Sequence, residues 1–328
     1  MDVFKHCLEK LKPEDIETLN EYFRGYDYRG ASYTFLANYI WKDSYSMCWE
    51  RIDEYLLMAG QVGEPGEVEE TEAILAMPLT RTGTYDVQKL RKVVLETKRR
   101  FDEMGVVFRM VNIPGHMVHL LKEAFPDEFD FVHERDYDEY VYEKDKLMYL
   151  SGRALHKKKN HLNYFYRTYH YEVKELTADM EPQIMDLVNR VREVRSYTQE
   201  EEDSLTAEKK AIRRILAHLE EENVYSVGIF IHGQLEAFAI GERLNEDTAV
   251  EHFEKANDSI RGLYQAICSE YCQILPEEIV YVNREEDMGL ENLRQAKEAL
   301  RPHHMEERYL GYLKKDEKKI EELEQENN

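Results

Sequence analysis

A chain of 328 residues that is 42% hydrophobic and 11% aromatic carries enough apolar surface for two compact domains, and its 34% charged content does not make it disordered. With 44 Lys and Arg against 67 Asp and Glu the formal charge is −23, which excludes a broad, sequence-independent nucleic-acid surface; any RNA contact must be local. No run of about 18 apolar residues occurs and the start, MDVFKHCLEKLKPEDIE, has no signal-peptide pattern, so a cytoplasmic location without a transmembrane segment is expected. Cys7, Cys48, Cys268 and Cys272 are too few and too irregular for a disulfide framework or a paired CxxC zinc site.

In chain order, KPEDIETLNEYFRG has helical spacing at Ile16, Leu19 and Phe23, with Gly25 as its stop. YSMCWERI, EYLLMAGQ and EAILAMPL then read as an antiparallel meander whose last link is the Gly, Pro and acid-rich GQVGEPGEVEE. VQKLRKVVLETKRRFDEMG is an amphipathic helix, VVFRMVNIP a strand, GHMVHLLKEAF a helix, and FVHERDYDEYVYEKDKLMYL a pair of strands that closes a first unit near Leu150.

After a basic segment a second series follows. MEPQIMDLVNRVREV and KKAIRRILAHLEEEN are helices, and YSVGIFI, LEAFAIGERL and TAVEHFEKA are strands. GLYQAICSEYCQIL is a helix, EEIVYVNRE a strand, GLENLRQAKEAL a helix and MEERYLGYL the last strand. The order of the first unit is repeated, which predicts a duplication: domains at 1–151 and 152–315, the second opened by the basic segment 152–174, and a charged tail at 316–328. The basic segment holds Arg153, Lys157, Lys158, Lys159, Arg167 and Lys174 against Glu172 alone.

An order of helix, antiparallel meander, helix, strand, helix, strand resembles the GNAT acyltransferase fold, so the expected class is α+β with two tandem GNAT-like domains. In that fold two splayed strands open a cleft for an activated acyl donor. Acetyl-CoA users of this fold carry a Gly-rich turn whose N–H groups cradle the pyrophosphate. The corresponding stretch here, EKANDSIRGLYQ, has Gly262 as its single glycine, which counts against acetyl-CoA.

Three stretches, GRALHKKKNHLNYF (152–165), HFEKANDSIRGLYQAI (252–267) and VNREEDMGLENLRQAKEALRP (282–302), together with ASYTFLANYIW and its Ser32 and Trp41, carry a more specific likeness. The chain resembles tandem-GNAT proteins related to the C-terminal domain of phosphatidylglycerol lysyltransferases. That resemblance implies aminoacyl transfer from aminoacyl-tRNA to an amine or hydroxyl acceptor, such as a lipid headgroup, a peptide or a small molecule. The multi-helix membrane half of the lysyltransferases has no counterpart in this sequence, which weighs against a lipid acceptor. An acyl-CoA donor, or a non-catalytic ligand-binding protein on the same fold, stays open as the alternative. No resident cofactor or metal is implied.

Arg153, Lys157 and Lys158 can share roughly one helical face, where they either hold phosphates or form a solvated basic surface. Strand alternation puts Phe253 and Lys255 on one face and His252, Glu254 and Ala256 on the other. Lys255 is the candidate for stabilising an oxyanion. Glu254 is the candidate for accepting a proton or binding an amino group, and a strand-end ion pair is the structural alternative for both. Asp287 near a helix start reads as a cap, whereas Arg294 and Lys297, three apart, either hold an anion or pair with Glu285 and Glu291. The candidate catalytic set is therefore Lys255, Glu254 and Arg294. The substrate-binding set is Arg153, Lys157, Lys158, Asn257, Tyr264, Gln265, Asn283, Glu285, Asp287 and Lys297. His116 and His119 lack an HExxH context, and no GxSxG, P-loop or GxGxxG follows a predicted strand.

Overall fold

The computed structural model describes residues 9–62, 72–192 and 199–314; Cys7, most of the acidic link after the second meander strand and the whole charged tail lie outside them. The first unit contains β1 (Glu9–Lys10), α1 (Ile16–Phe23), α2 (Phe35–Ile40), β2 (Cys48–Ile52), β3 (Tyr55–Val62), β4 (Glu72–Ala76), β5 (Leu79–Thr80), α3 (Val87–Met104), β6 (Val107–Pro114), α4 (Val118–Ala124) and β7 (Phe129–His133). The second contains β8 (Glu139–Glu143), α5 (Lys144–Tyr149), α6 (His156–Thr168), β9 (Tyr171–Lys174), α7 (Glu181–Arg192), α8 (Gln199–Leu216), β10 (Val224–Ile231) and β11 (Gln234–Arg243). It continues with β12 (Thr248–Ala256), α9 (Leu263–Ile274), β13 (Tyr281–Asn283), α10 (Glu291–Glu298) and β14 (His304–Glu306), and the final strand, β15 (Arg308–Leu313), returns to the first unit.

The first sheet has the order β1-β2-β3-β4-β6-β15-β7, with β5 beside β3; the second has β9-β10-β11-β12-β13-β8-β14. The meander β2-β3-β4 is antiparallel as the alternation predicts, β4 runs parallel to β6, and β12 runs parallel to β13. The two orders correspond place by place, so the repeat of elements is a repeat of topology, with one strand of each sheet supplied by the other half of the chain.

This exchange corrects three expectations. FVHERDYDEYVYEKDKLMYL is not a strand pair: β7 belongs to the first sheet, β8 to the second, and Lys144–Tyr149 is helical. MEERYLGYL is two strands, β14 and β15, in different sheets. The compact units are 1–138 with 306–328, and 139–305, in place of a division at 151. Local pattern marks a strand but not its partner, and partner choice depends on which sheet position is left open.

Local rules account for the helices that frame each sheet. In α3, Asp86 caps Gln88 and Lys89 N–H groups, Leu90, Val93, Val94 and Phe101 are buried along one face, and Gly105 ends the helix at φ +75°. In the second unit α9 lies on a core of Tyr142, Leu162, Phe165, Ala239, Ala249 and Ile267, among others, where each large side chain contributes about 1.5–3 kcal/mol by leaving water. Gly262, at φ +89°, starts α9 where a Cβ would lie 2.2 Å from the His161 carbonyl oxygen of α6, so only glycine allows that approach.

Candidate active site

The second unit has an opening built into its sheet. β12 and β13 pair only at Thr248–Val250 against Tyr281–Asn283, after which β12 continues to Ala256 while the other chain turns through Arg284–Gly289. Among the described residues the edge of β12 beyond Val250 has no strand partner on that side, and charged side chains fill the gap.

A β-bulge decides which ones meet. Glu251 pairs with Gly241 and Phe253 with Ile240, so His252 is the extra residue and the alternation restarts after it. Glu251 and Glu254, which strict alternation would send to opposite faces, both reach Arg284: Nε lies against Glu251 Oε2, and Nη2 is 2.9 Å from Glu254 Oε1. Tyr271 Oη donates to the Val250 carbonyl at 3.2 Å, which holds the strand just before the bulge. His252 points the other way, with Nδ1 2.7 Å from Glu285 and Nε2 3.0 Å from Glu242. Hence His252 does not share a face with Glu254, contrary to the simple alternation. Burial alone would lower the imidazole, but the two carboxylates push its pKa up to about 10, and it acts as a fixed cation.

Sequence reasoning missed Glu251, Glu286 and, above all, Arg284. Arg284 lies inside the NREEDMG motif, but no spacing rule distinguishes it from its charged neighbours, and its role depends on the bulge at His252, 32 residues earlier. Its guanidinium also lies 3.9 Å from Cys268 Sγ. Despite burial it stays charged, because Glu251 and Glu254 lift its pKa well above the ordinary value. Burial, with Glu254 nearby, drives the Glu251 carboxyl well up in spite of Arg284.

The turn Arg284–Gly289 is held in left-handed conformations at Glu285 (φ +56°), Met288 (+52°) and Gly289 (+72°). Asn283 Nδ2 donates to Glu139 Oε2 at 2.5 Å, and its Oδ1 accepts the Glu285 N–H. Asp287 is fully buried and accepts two hydrogen bonds from Arg294 (2.9 and 2.7 Å), one from Tyr140 Oη (2.6 Å) and one from the Gly289 N–H. Burial would raise that carboxyl, but Arg294 and the other donors hold it well below the usual range. Lys297 Nζ donates to the carbonyls of Arg284 and Glu286, and burial pulls its pKa down. Glu286 is pushed up to about 7 by burial first and then by Glu285 and Glu139.

The structure therefore gathers Asn283, Glu285, Asp287, Arg294 and Lys297 around one turn, as the sequence pattern suggests, but it ties Arg294 to Asp287. Lys255 is elsewhere: it projects from the opposite face to Glu254 and pairs with Glu208 of α8 at 2.7 Å, so it does not converge with the others. Asn257 donates to Glu236, Tyr264 is exposed and Gln265 is half-buried. Lys157 and Lys158 do not share a face, because neighbours on a helix are about 100° apart. Arg153 and Lys157 are exposed, whereas Lys158 is half-buried, its pKa lowered by burial, and it feels Cys268 and Arg284. A separate shallow hollow of about 350 Å³ is lined by Pro182, Gln183, Asp186, Gly233, Gln234 and Leu235. With one ionisable group it has less chemistry to offer than the strand gap.

Comparison with known proteins matches residues 23–312 to the family described as phosphatidylglycerol lysyltransferase, C-terminal. A conserved protein of unknown function from Bacteroides thetaiotaomicron is similar at 28% identity and a TM-score of 0.82, covering 94% of this chain and 99% of that one. L-PGS from Bacillus licheniformis is similar at 15% identity and a TM-score of 0.63, over 94% of each chain. A tandem GNAT protein from the clavulanic acid biosynthesis pathway matches at 9% identity and a TM-score of 0.51, over 93% of this chain and 97% of that one. At their low identities the last two speak to fold alone, and they agree with the two-sheet topology: this is a tandem GNAT fold. Among the described residues no helix is long and apolar enough to cross a membrane.

Proposed function

We propose that this chain, which belongs to the phosphatidylglycerol lysyltransferase C-terminal family, transfers an aminoacyl group from aminoacyl-tRNA to an amine or hydroxyl acceptor at the strand gap of its second unit. Family and fold are those of acyltransferases. The observation that favours an aminoacyl ester over acyl-CoA is the turn after β12. Four of its N–H groups are already engaged: Asn257 to the Glu236 carbonyl, Ser259 to Asn257 Oδ1, Ile260 to the Asn257 carbonyl and Leu263 to the Ile260 carbonyl. A pyrophosphate would meet those engaged donors and the Glu236 carboxylate close by, which Asn257 Nδ2 bonds at 2.9 Å.

In this reading the acceptor nitrogen or oxygen attacks the ester carbonyl directly, and the terminal ribose hydroxyl of the tRNA leaves. Glu286, whose carboxyl is raised to about 7, takes the acceptor proton and returns it to the leaving ribose oxygen. Arg284 and Lys158 oppose the negative charge that develops on the carbonyl oxygen, in a gap where low dielectric strengthens each interaction. Asp287 and Arg294 fix the turn, and exposed Arg153 and Lys157 supply a local contact for tRNA phosphates.

The test is binding of aminoacyl-tRNA and of acetyl-CoA at two salt concentrations, using the intact chain and an Arg153→Ala/Lys157→Ala variant. Salt-sensitive aminoacyl-tRNA binding, weakened about tenfold in the variant, is expected, since each lost phosphate contact removes counterion release. Binding of acetyl-CoA alone moves the assignment to an acyl-CoA enzyme. Binding of neither makes the fold a non-catalytic ligand binder.

A further inference from the structure

Among the described residues no strand pairs with β12 beyond Val250 on the side of the turn, so side chains set the spacing between β12 and Arg284–Gly289. The backbone of the turn is tied elsewhere. The Arg284 N–H donates to the Tyr140 carbonyl of β8, the Tyr140 N–H donates to the Glu285 carbonyl, and Lys297 of α10 donates to the Arg284 and Glu286 carbonyls. Two side-chain bridges cross to β12: Arg284 reaches Glu251 and Glu254 on one face, and Glu285 reaches His252 on the other.

The second bridge takes no part in the proposed chemistry, yet its geometry is specific. The His252 side chain is 1% exposed, with Nδ1 2.7 Å from Glu285 Oε1 and Nε2 3.0 Å from Glu242 Oε1 of β11. An ionised carboxylate has only acceptors and a neutral imidazole has one N–H, so a neutral ring would aim a lone pair at one of the two acids. An imidazolium donates to both. Glu242, His252 and Glu285 thus form a line from β11, through the bulge on β12, to the turn, with the cation at its centre. Glu285 is also the residue that needs holding: at φ +56° it keeps a left-handed conformation that a side chain with a Cβ adopts only where its surroundings impose it. Arg284 and Glu286 flank it in the chain, so a rotation at Glu285 turns both.

The geometry points to His252 as a positioning residue for the transfer reaction: as an imidazolium between Glu242 and Glu285 it stands in for the missing strand pairing, fixes the width of the gap and aims Arg284 and Glu286, without touching donor or acceptor. The reaction it serves rests on the aminoacyl-transfer reading; the strut across the gap does not. Its removal has a definite electrostatic sign. Burial first, then Glu285 and Glu139, push the Glu286 carboxyl up, while Lys297 draws it down. The cation on Glu285 offsets that neighbour's charge, so loss of His252 raises Glu286 further, and loss of the Glu285 charge lowers it.

The experiment uses the intact chain with His252→Gln and Glu285→Gln. In the wild type, nitrogen NMR of the imidazole is expected to show a hydrogen on both ring nitrogens at about pH 8, where an ordinary histidine has lost one. A neutral ring there would overturn the strut. Carboxyl carbon NMR is expected to place the Glu286 midpoint above its wild-type position in His252→Gln and below it in Glu285→Gln. In both variants kcat for transfer is expected to fall at least about tenfold with KM for aminoacyl-tRNA nearly unchanged, and the rise of rate with pH to move with Glu286. A lower melting temperature with kcat per folded molecule, the Glu286 midpoint and the pH profile all unchanged would make His252 structural and overturn the positioning role. If His252→Gln does not fold, the wild-type imidazole and Glu285→Gln decide, and an unchanged kcat in Glu285→Gln counts against the proposal. If the wild type transfers nothing from aminoacyl-tRNA, the donor assignment fails, while the imidazole and carboxyl spectra still accept or reject the strut.

Discussion

Each unit changes from antiparallel to parallel pairing at one place, and the two places are finished differently. In the first, β4 and β6 stay paired for five residues, 72–76 against 107–111, and the chain leaves β4 through Met77 and Leu79, each 1% exposed. In the second, pairing stops after three residues, and β12 runs on through Glu251, His252 and Glu254 into contact with Arg284, Glu285 and Glu242. The same topology thus yields a fully paired seam in one copy and a charged gap in the other. The frame supplies an opening at the switch in strand direction, and the residues beyond the last pair decide whether it becomes core or site.

The most forceful way to break this comparison is to remove the central cation. Arg284→Met leaves two buried carboxylates facing each other and is expected to cost about 3–5 kcal/mol, with transfer activity lost. Arg109→Met in the first unit, where the partly buried guanidinium pairs with Glu72, is expected to cost about 1–3 kcal/mol. Urea denaturation of the two variants makes the test, and equal losses would mean that the gap is no more demanding than its counterpart.

A smaller effect contrasts two left-handed glycines. Gly262→Ala meets both the conformational penalty and the His161 carbonyl, so about 2–3 kcal/mol is expected. Gly105→Ala, at φ +75° with nothing within 4 Å of an added Cβ, meets the conformational penalty alone and is expected to cost about 1 kcal/mol. Thermal melts of the two variants would expose a loose contact between α6 and α9 if the costs came out equal.

The smallest predicted effect is a pH dependence. Glu286 is raised to about 7 in the folded chain from an ordinary value near 4.5, so the folded state binds more protons than the unfolded one between those limits. Its stabilising contribution is complete below about 4.5 and is lost as pH rises through about 7. Glu286→Gln is expected to flatten stability over that window and to remove a rise in transfer rate centred near pH 7. An unchanged rate profile in the variant would take the base role away from Glu286 and leave the fold unaffected.

How much of this was legible beforehand follows from which interactions are local. The meander, the helices around Leu90 and Leu263, and the duplication are written in period and punctuation, because burial on one face imposes spacing within the element itself. The turn Arg284–Gly289 was legible as a motif, and its gathering of Asn283, Asp287, Arg294 and Lys297 follows from short sequence separation. His252 was misplaced because the inference assumed an unbroken strand, and a bulge has no reliable signature when neither bulged residue is glycine; Lys255 keeps the face that alternation gave it, opposite Glu254, and what the sequence did not show is that Glu208 meets it there.

By itself, then, the sequence determined the elements, their twofold order and the region that carries the motif residues, since these depend on neighbours within a turn or a strand. Tertiary structure decided the exchange of β8 and β15, the convergence of Glu251 and Glu254 on Arg284, and the burial that raises Glu251 and Glu286. Those outcomes depend on pairing across more than 100 residues and on water removed by the packed sheet and helices, neither of which any local pattern of side chains records.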